Sequence, residues 1–186
     1  MDTRERILAK AREAFATRGY AATPLEVLAA ELGLTKGAIY HHFPSKGALL
    51  TALLEESLRQ AEAALAEEGT LEERLFAYAE SYRRGLEPLT ALSTSRAGRR
   101  GGDRTAFKAA HGAMTLALER LSAFLDGYAP GRGRELGAVF FSIVHGAYAL
   151  DRHVPGYPVE RVLRTGIGIF VRGLEAAFPE EGREEG

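Results

Sequence analysis

The segment from Thr23 to Lys46 constrains the fold most strongly, because it contains two short helical patterns separated by a single glycine. Thr23-Pro24-Leu25-Glu26 combines a predicted N-cap threonine, a proline at the first helical position and a glutamate three residues after the cap. Gly33 can adopt the positive φ that a tight turn requires, and small Ala29 permits a close crossing with a second short helix over 36–42. The segment therefore predicts two helices joined by a tight turn that Ala29 and Gly33 shape.

The rest of the chain also repeats its apolar residues at helical and not at alternating spacing. We therefore predict an all-α fold, with a three-helix helix-turn-helix head over residues 1–50 and a helical body over 51–186. A poorly periodic stretch over 88–104 interrupts the body. The predicted helices cover residues 3–18, about 24–32, 36–42, 45–67, 71–85, 105–127, 134–153 and 159–178.

The composition excludes several classes of protein. Of the 186 residues, 46% are hydrophobic and 26% are charged, which is typical of a globular chain. No cysteine is present, so disulfides, thiolate zinc sites and cysteine nucleophiles are excluded. No secretory signal is evident, and the longest uncharged stretch, 136–150, falls short of the roughly 20 residues that span a bilayer. We expect a cytoplasmic protein that does not enter a membrane.

The head differs from the body in charge and in its exposed side chains. Residues 1–50 hold seven Lys/Arg and five Asp/Glu, a net of +2, whereas the remaining 17 and 20 give the body −3. A helix in the major groove needs hydrogen-bonding side chains, small residues for close approach, and cations or hydroxyls for phosphates. The second short helix carries all three kinds, although its aromatic residues could instead pack beneath the head. The residues concerned are Thr35, Lys36, Gly37, Ala38, Tyr40, His41 and His42.

The stretch Leu34-Thr-Lys-Gly-Ala-Ile-Tyr-His-His-Phe-Pro-Ser-Lys-Gly-Ala-Leu49 closely resembles the signature of TetR-family repressors, and the resemblance extends over about residues 5–54. It implies a homodimer on a palindromic operator in double-stranded DNA, released when a small-molecule effector binds the body. It also implies that Tyr40 and Lys46 mainly contact phosphates and that Thr23 lies near them. The implied DNA-facing set is Thr23, Thr35, Lys36, Gly37, Tyr40, His41, His42 and Lys46.

The same resemblance implies that the last two helices pair with those of a second subunit in a four-helix bundle. The sequence supports this independently, because residues 136–150 carry no Asp, Glu, Lys or Arg and have apolar residues on more than one side. Such a helix must be covered twice. Gly166, Gly168 and Gly173 in the final helix further suggest close backbone approach.

The body also carries side chains that could bind an effector. Arg96, Arg99 and Arg100 could anchor an anionic effector such as an acyl-CoA, or form a solvated loop. Aromatic and histidine side chains of the body could line an apolar pocket or belong to an ordinary core. These are Tyr78, Tyr82, Phe107, His111, Phe141, His145 and Tyr148.

Two other classes of protein remain as alternatives, a small helical enzyme and a helical adaptor that binds no DNA. The chain has no Gly-x-Ser-x-Gly elbow, no phosphate-binding glycine loop and no His-Glu-x-x-His motif, so we do not expect an enzyme. His145 and His153 are eight residues apart on one helical face, but no third ligand follows at a recognisable spacing. We therefore predict no metal and no cofactor.

Overall fold

The computed structural model describes residues 1–85 and 104–179, which contain helices and no strands. None of these helices is long and apolar enough to cross a membrane. The fold is all-α, as predicted. The helices are α1 (Thr3–Arg18), α2 (Leu25–Glu31), α3 (Lys36–His42), α4 (Lys46–Leu65), α5 (Leu71–Gly85), α6 (Arg104–Asp126), α7 (Gly133–His153) and α8 (Val159–Ala177).

The described residues separate into two compact units. The first unit combines Met1–Arg59 with the described residues of Arg84–Met114, and the second combines Gln60–Arg83 with those of Thr115–Gly186. Each unit is a set of segments that pack together, and it is not defined by what those segments do. The functional division at residue 50 therefore stays a prediction.

The helix bounds follow the sequence signals, with one exception at the start of α2. The predicted N-cap at Thr23 is wrong, because α2 begins at Leu25 with Pro24 as its cap and has no side-chain capping bond. The Thr23 hydroxyl instead donates to the carbonyl oxygen of Gly19 at 2.9 Å, and the residue is fully buried. This hydrogen bond therefore stabilises the connection between α1 and α2.

The core of the first unit fixes the geometry of α2 and α3. Ile7 and Phe15 of α1, Leu28 of α2 and Ile39 of α3 are all buried. Gly33 takes a φ of 68°, which an L side chain rarely adopts. At the turn, the Leu34 amide donates to the carbonyl oxygen of buried Ala29 at 2.8 Å, and the Gly33 amide donates to that of Ala30 at 3.1 Å. Ala29 and Gly33 thus both lie at the turn between α2 and α3, where the sequence predicts that they shape it.

The second unit is built from the end of α4, nearly all of α5, the second part of α6, and α7 and α8. Its buried residues include Tyr78, Leu121, Phe140, Leu163 and Ile167. The helices α7 and α8 approach closely at Gly166, where an added Cβ would lie 2.8 Å from Cγ2 of Ile143. Gly166 therefore permits this contact within one chain.

Candidate nucleic-acid interface

The start of α3 exposes small and polar groups beside the turn. Thr35 is the N-cap of α3, and its hydroxyl accepts a hydrogen bond from the Ala38 amide at 3.1 Å. Thr35, Lys36 and Gly37 are exposed, whereas Ile39 on the opposite face is fully buried. The capping bond that begins α3 therefore also places its first residues at the surface.

Glu26 of α2 connects two of the predicted DNA-facing side chains. Its Oε1 atom lies 3.1 Å from Nζ of Lys36 and accepts a hydrogen bond from the Tyr40 hydroxyl at 3.0 Å. The Lys36 ammonium also lies 5.7 Å from the centre of the Tyr40 ring, a cation–π arrangement. The three side chains form one polar cluster, which we call the Glu26 cluster.

The pKa values in the Glu26 cluster shift in the directions that these contacts require. The pKa of Glu26 is lowered by hydrogen bonding from its own backbone amide, and then by bonds from Lys36 and Tyr40. Hydrogen bonding to Glu26 raises the pKa of Lys36 and also that of Tyr40. Lys36 is therefore a cation, Glu26 an anion and Tyr40 a neutral phenol near pH 7.

The remaining predicted DNA-facing residues differ in accessibility. His41 is exposed, and its ring meets that of half-buried His42 edge-on with centroids 5.6 Å apart. Lys46 is half-buried, and its ammonium donates to the Ala21 carbonyl oxygen at 3.2 Å and lies 4.2 Å from the Tyr20 ring centre. Thr23 is buried and its hydroxyl donates to Gly19, so it offers no exposed hydroxyl to a phosphate.

The sequence reasoning missed the role of Glu26 in this surface. The residue was assigned only to the start of α2, because a glutamate near a helix N-terminus has a sufficient local explanation. Its contacts with Lys36 and Tyr40 connect residues 10 and 14 positions apart and depend on how α2 and α3 cross. A local pattern contains no signal for that crossing.

The effector residues predicted in the body fall into two groups. In the second unit, the Tyr82 hydroxyl lies 2.9 Å from Nε2 of His145, and Phe141 contacts both rings with centroid separations of 5.3 and 5.6 Å. We call these three residues the Tyr82 cluster. Burial lowers the pKa of His145, so its imidazole is neutral near pH 7.

Two further tyrosines of the second unit contact the backbone of other helices. The Tyr148 hydroxyl is 3.2 Å from the Ala79 carbonyl oxygen and 3.2 Å from the Glu80 carboxylate. The Tyr78 hydroxyl donates to the Ala117 carbonyl oxygen at 3.4 Å. Burial is the first cause that raises the pKa of each phenol. Both tyrosines are buried, and these bonds are typical of a hydrogen-bonded core.

The other predicted effector residues do not join the Tyr82 cluster. Phe107 and exposed His111 belong to the first unit, where their rings stack with centroids 6.3 Å apart. Arg96, Arg99 and Arg100 lie outside the described residues. A cleft of about 240 Å³ in the second unit is lined by none of the predicted effector residues. Its walls are Thr70, Glu72, Glu73, Phe76, Arg164 and Ile167.

No metal centre is formed by the described side chains. Within residues 1–85 and 104–179, no three His, Cys, Asp or Glu residues come together in a group that could hold an ion.

Comparison with known proteins identifies the N-terminal segment. Residues 7–53 match the family model for bacterial regulatory proteins of the tetR family. This N-terminal segment is therefore similar to the N-terminal segment of tetR-family regulators. Among its curated relatives, the transcriptional regulator TtgR of Pseudomonas putida is 46% identical over 54 residues, which are 29% of this chain and 26% of TtgR. The repressor Rv1474c of Mycobacterium tuberculosis is 38% identical over 68 residues, 37% of this chain and 36% of that protein. The matched segments thus span only about a quarter to a third of these relatives.

Solved structures extend the similarity to most of the chain. The TetR family regulator PfmR from Thermus thermophilus is 28% identical and has a TM-score of 0.57, covering 91% of this chain and 99% of its own. A regulator from Aquifex aeolicus is 25% identical with a TM-score of 0.67, covering 95% and 100%. The relatives named here are regulators and repressors and not enzymes, in agreement with the prediction from the sequence.

Proposed function

We propose that this chain is a ligand-responsive transcriptional repressor that binds operator DNA through the exposed surface of α3. The observation that supports this most directly is the N-terminal end of α3, where Thr35, Lys36 and Gly37 are exposed beside the Gly33 turn. Tyr40 and His41 extend the same surface, with Lys46 at its flank. Hydroxyls and cations of this kind contact phosphates, and small residues permit approach to base edges.

The proposed partner is double-stranded DNA, and the proposed location of the protein is the cytoplasm. The segment that matches the tetR family contains this surface, and two of the curated relatives are named HTH-type transcriptional repressors. We keep Thr35, Lys36, Gly37, Tyr40, His41, His42 and Lys46 as proposed DNA contacts and leave out Thr23. Its buried hydroxyl has a partner within the chain.

The proposed homodimer would form through α7 and α8. Val139 and Leu150 on α7 are 50% and 47% exposed, and Ile169 on α8 is 61% exposed, although all three are large apolar side chains. Gly146 and Gly173 have no atom within 4 Å of an added Cβ, so contacts within the chain do not explain their small size. A second copy of the same two helices would cover the apolar residues and use the glycines for close approach.

The proposed effector is an apolar or partly polar small molecule that contacts the Tyr82 cluster. The Tyr82 and Phe141 rings supply apolar surface, and the Tyr82–His145 pair supplies polar atoms that can fix orientation. Binding would release the operator only to the extent that the effector prefers the form that does not fit DNA. An acyl-CoA is one such molecule, with the arginines at 96, 99 and 100 as proposed phosphate contacts.

Fluorescence anisotropy with a labelled duplex tests the DNA-binding proposal. The duplex is first selected from a random pool by the wild-type protein. Lys36→Met removes one phosphate contact from each subunit, hence two from the proposed homodimer, and should reduce the magnitude of the slope of log K against log salt by about 1.8. Tyr40→Phe should weaken binding without changing that slope. Lys108→Met, at an exposed lysine of α6, removes the same charge away from α3 and serves as the control.

Two results would contradict the DNA-binding proposal. If Lys36→Met and Lys108→Met lowered affinity and slope equally, α3 would not be the contact surface. If the wild-type protein selected and bound no duplex at low salt, with or without metabolite extract, a helical adaptor would be the better interpretation.

A further inference from the structure

The Glu26 carboxylate binds the Lys36 ammonium and the Tyr40 hydroxyl, the same two groups that the proposed function assigns to DNA. The same oxygen, Oε1, accepts from the Lys36 ammonium and from the Tyr40 hydroxyl, at 3.1 and 3.0 Å. A phosphate oxygen is an acceptor of the same charge and would need the same two donors. The Tyr40 hydroxyl has one proton and cannot donate to Glu26 and to a phosphate at once, and the Lys36 ammonium gives Glu26 one of the three donors that it could offer to DNA.

We propose that Glu26 is an intramolecular competitor of DNA phosphate, which holds Lys36 and Tyr40 in the free protein and is replaced by a phosphate oxygen when α3 docks. This inference rests on the proposed function, because it assumes that the α3 surface contacts DNA. Glu26 would then lower the affinity for DNA, whereas the other proposed residues of this surface raise it.

The exposure of the Glu26 cluster makes the exchange possible. The side chains of Lys36 and Glu26 are 71% and 46% exposed, so water and phosphate can reach both partners. Exposed ion pairs are weak, and DNA offers a phosphate at each nucleotide. The lowered pKa of Glu26 keeps the competitor charged at neutral pH.

The consequence of this competition is weaker binding to every duplex. A carboxylate at the contact surface lowers the electrostatic part of affinity, which is independent of base sequence. Sites with matching base contacts lose the same amount but retain their additional interactions. Glu26 would therefore limit how much protein binds non-operator DNA.

The test compares Glu26→Gln with Glu31→Gln on a duplex selected by the wild-type protein. Both variants remove one negative charge from α2 or its end and keep the side-chain shape. Glu31 pairs with Arg18 and Lys10 of α1 and so leaves the Glu26 cluster intact. Glu26→Gln should bind about two- to fivefold more tightly per subunit at 0.1 M salt, with a slope steeper by about 0.9 per subunit, or about 1.8 for the homodimer. Glu31→Gln should give a clearly smaller gain.

A second comparison distinguishes competition from simple repulsion. If Glu26 competes for Lys36, then Glu26→Gln should gain less affinity in a Lys36→Met background than in the wild type, because no lysine is left to be released. Thermal unfolding of each variant establishes that the exposed substitution leaves the fold intact.

The possible outcomes separate the inference from the function on which it rests. Equal or weaker binding by Glu26→Gln, or a gain that is the same in both backgrounds, overturns the competitor role while DNA binding stands. Failure of the wild-type protein to bind any duplex overturns the proposed function itself, and the competitor role with it.

Discussion

Replacement of Gly33 by alanine should destabilise the head although the new methyl group meets nothing. Gly33 has a φ of 68°, and no atom lies within 4 Å of an added Cβ. The cost is therefore conformational, because an L residue in the left-handed region loses about 1–2 kcal/mol. The same substitution at Gly37 provides a matched comparison. An added Cβ there lies 4.0 Å from Oγ1 of Thr35, and the residue is in the first turn of α3.

Gly37→Ala should stabilise the protein by about 0.5 kcal/mol, since alanine favours a helix and the position is near its end. The two variants should thus differ by about 2 kcal/mol, or about 1 M in the urea midpoint for a slope near 2 kcal/mol per M. Urea unfolding followed by circular dichroism measures this difference. If both variants were equally stable, the turn would not require the left-handed conformation and the reasoning would be refuted.

Three other substitutions test separate parts of the structure. Thr35→Ala should cost about 1 kcal/mol of unfolding free energy through loss of the α3 cap, whereas Thr35→Asp should keep the cap yet weaken DNA binding by charge repulsion. Equal stability of the two variants would contradict the capping role. In light scattering, the wild-type protein should have the mass of a dimer, twice 20.1 kDa, and Ile169→Glu the mass of one chain, 20.1 kDa. Glu175→Gln, at an exposed residue of the same helix, should leave the dimer mass unchanged. An Ile169→Glu variant that remained dimeric would place the interface elsewhere. Burial lowers the pKa of His145 in the folded state, so the unfolded chain takes up the proton first and stability should fall as pH decreases through about 6.5. Melting curves from pH 7.5 to 5.5 should show a smaller loss for His145→Gln than for a His153→Gln control, and identical losses would exclude His145 as the cause.

Local signals were sufficient to predict most of the head. Thr35 and Ser45 each cap the helix that follows them, and their hydroxyls accept hydrogen bonds from the amides of Ala38 and Ala48. Gly33 has the positive φ that the turn was expected to need. These features involve residues at most a few positions apart, so their geometry depends mainly on the local sequence.

Features that depend on tertiary packing were predicted less well. Thr23 has the residue type and position of an N-cap, yet it is fully buried and its hydroxyl donates to the carbonyl oxygen of Gly19. Glu26 meets Lys36 and Tyr40 only because α2 and α3 cross. A helix pattern identifies the face of a residue but not the partner that this face meets.

The predicted effector residues show the same limit over longer separations. Tyr82 and His145 are 63 residues apart and lie in hydrogen-bonding distance, whereas Phe107 and His111 belong to the other unit. All four were chosen because aromatic and histidine side chains on an apolar stripe can line a pocket. The pattern could not determine which of them come together.

Selection of duplexes from a random pool by the purified protein tests the central claim most directly. If two α3 surfaces of a homodimer read adjacent major grooves, the selected sequences should contain an inverted repeat with half-site centres about 10 base pairs apart or a little more. The Lys36→Met and Tyr40→Phe variants should select the same repeat with lower affinity. Selected sequences without symmetry, or no enrichment by the wild-type protein at low salt, would contradict the account.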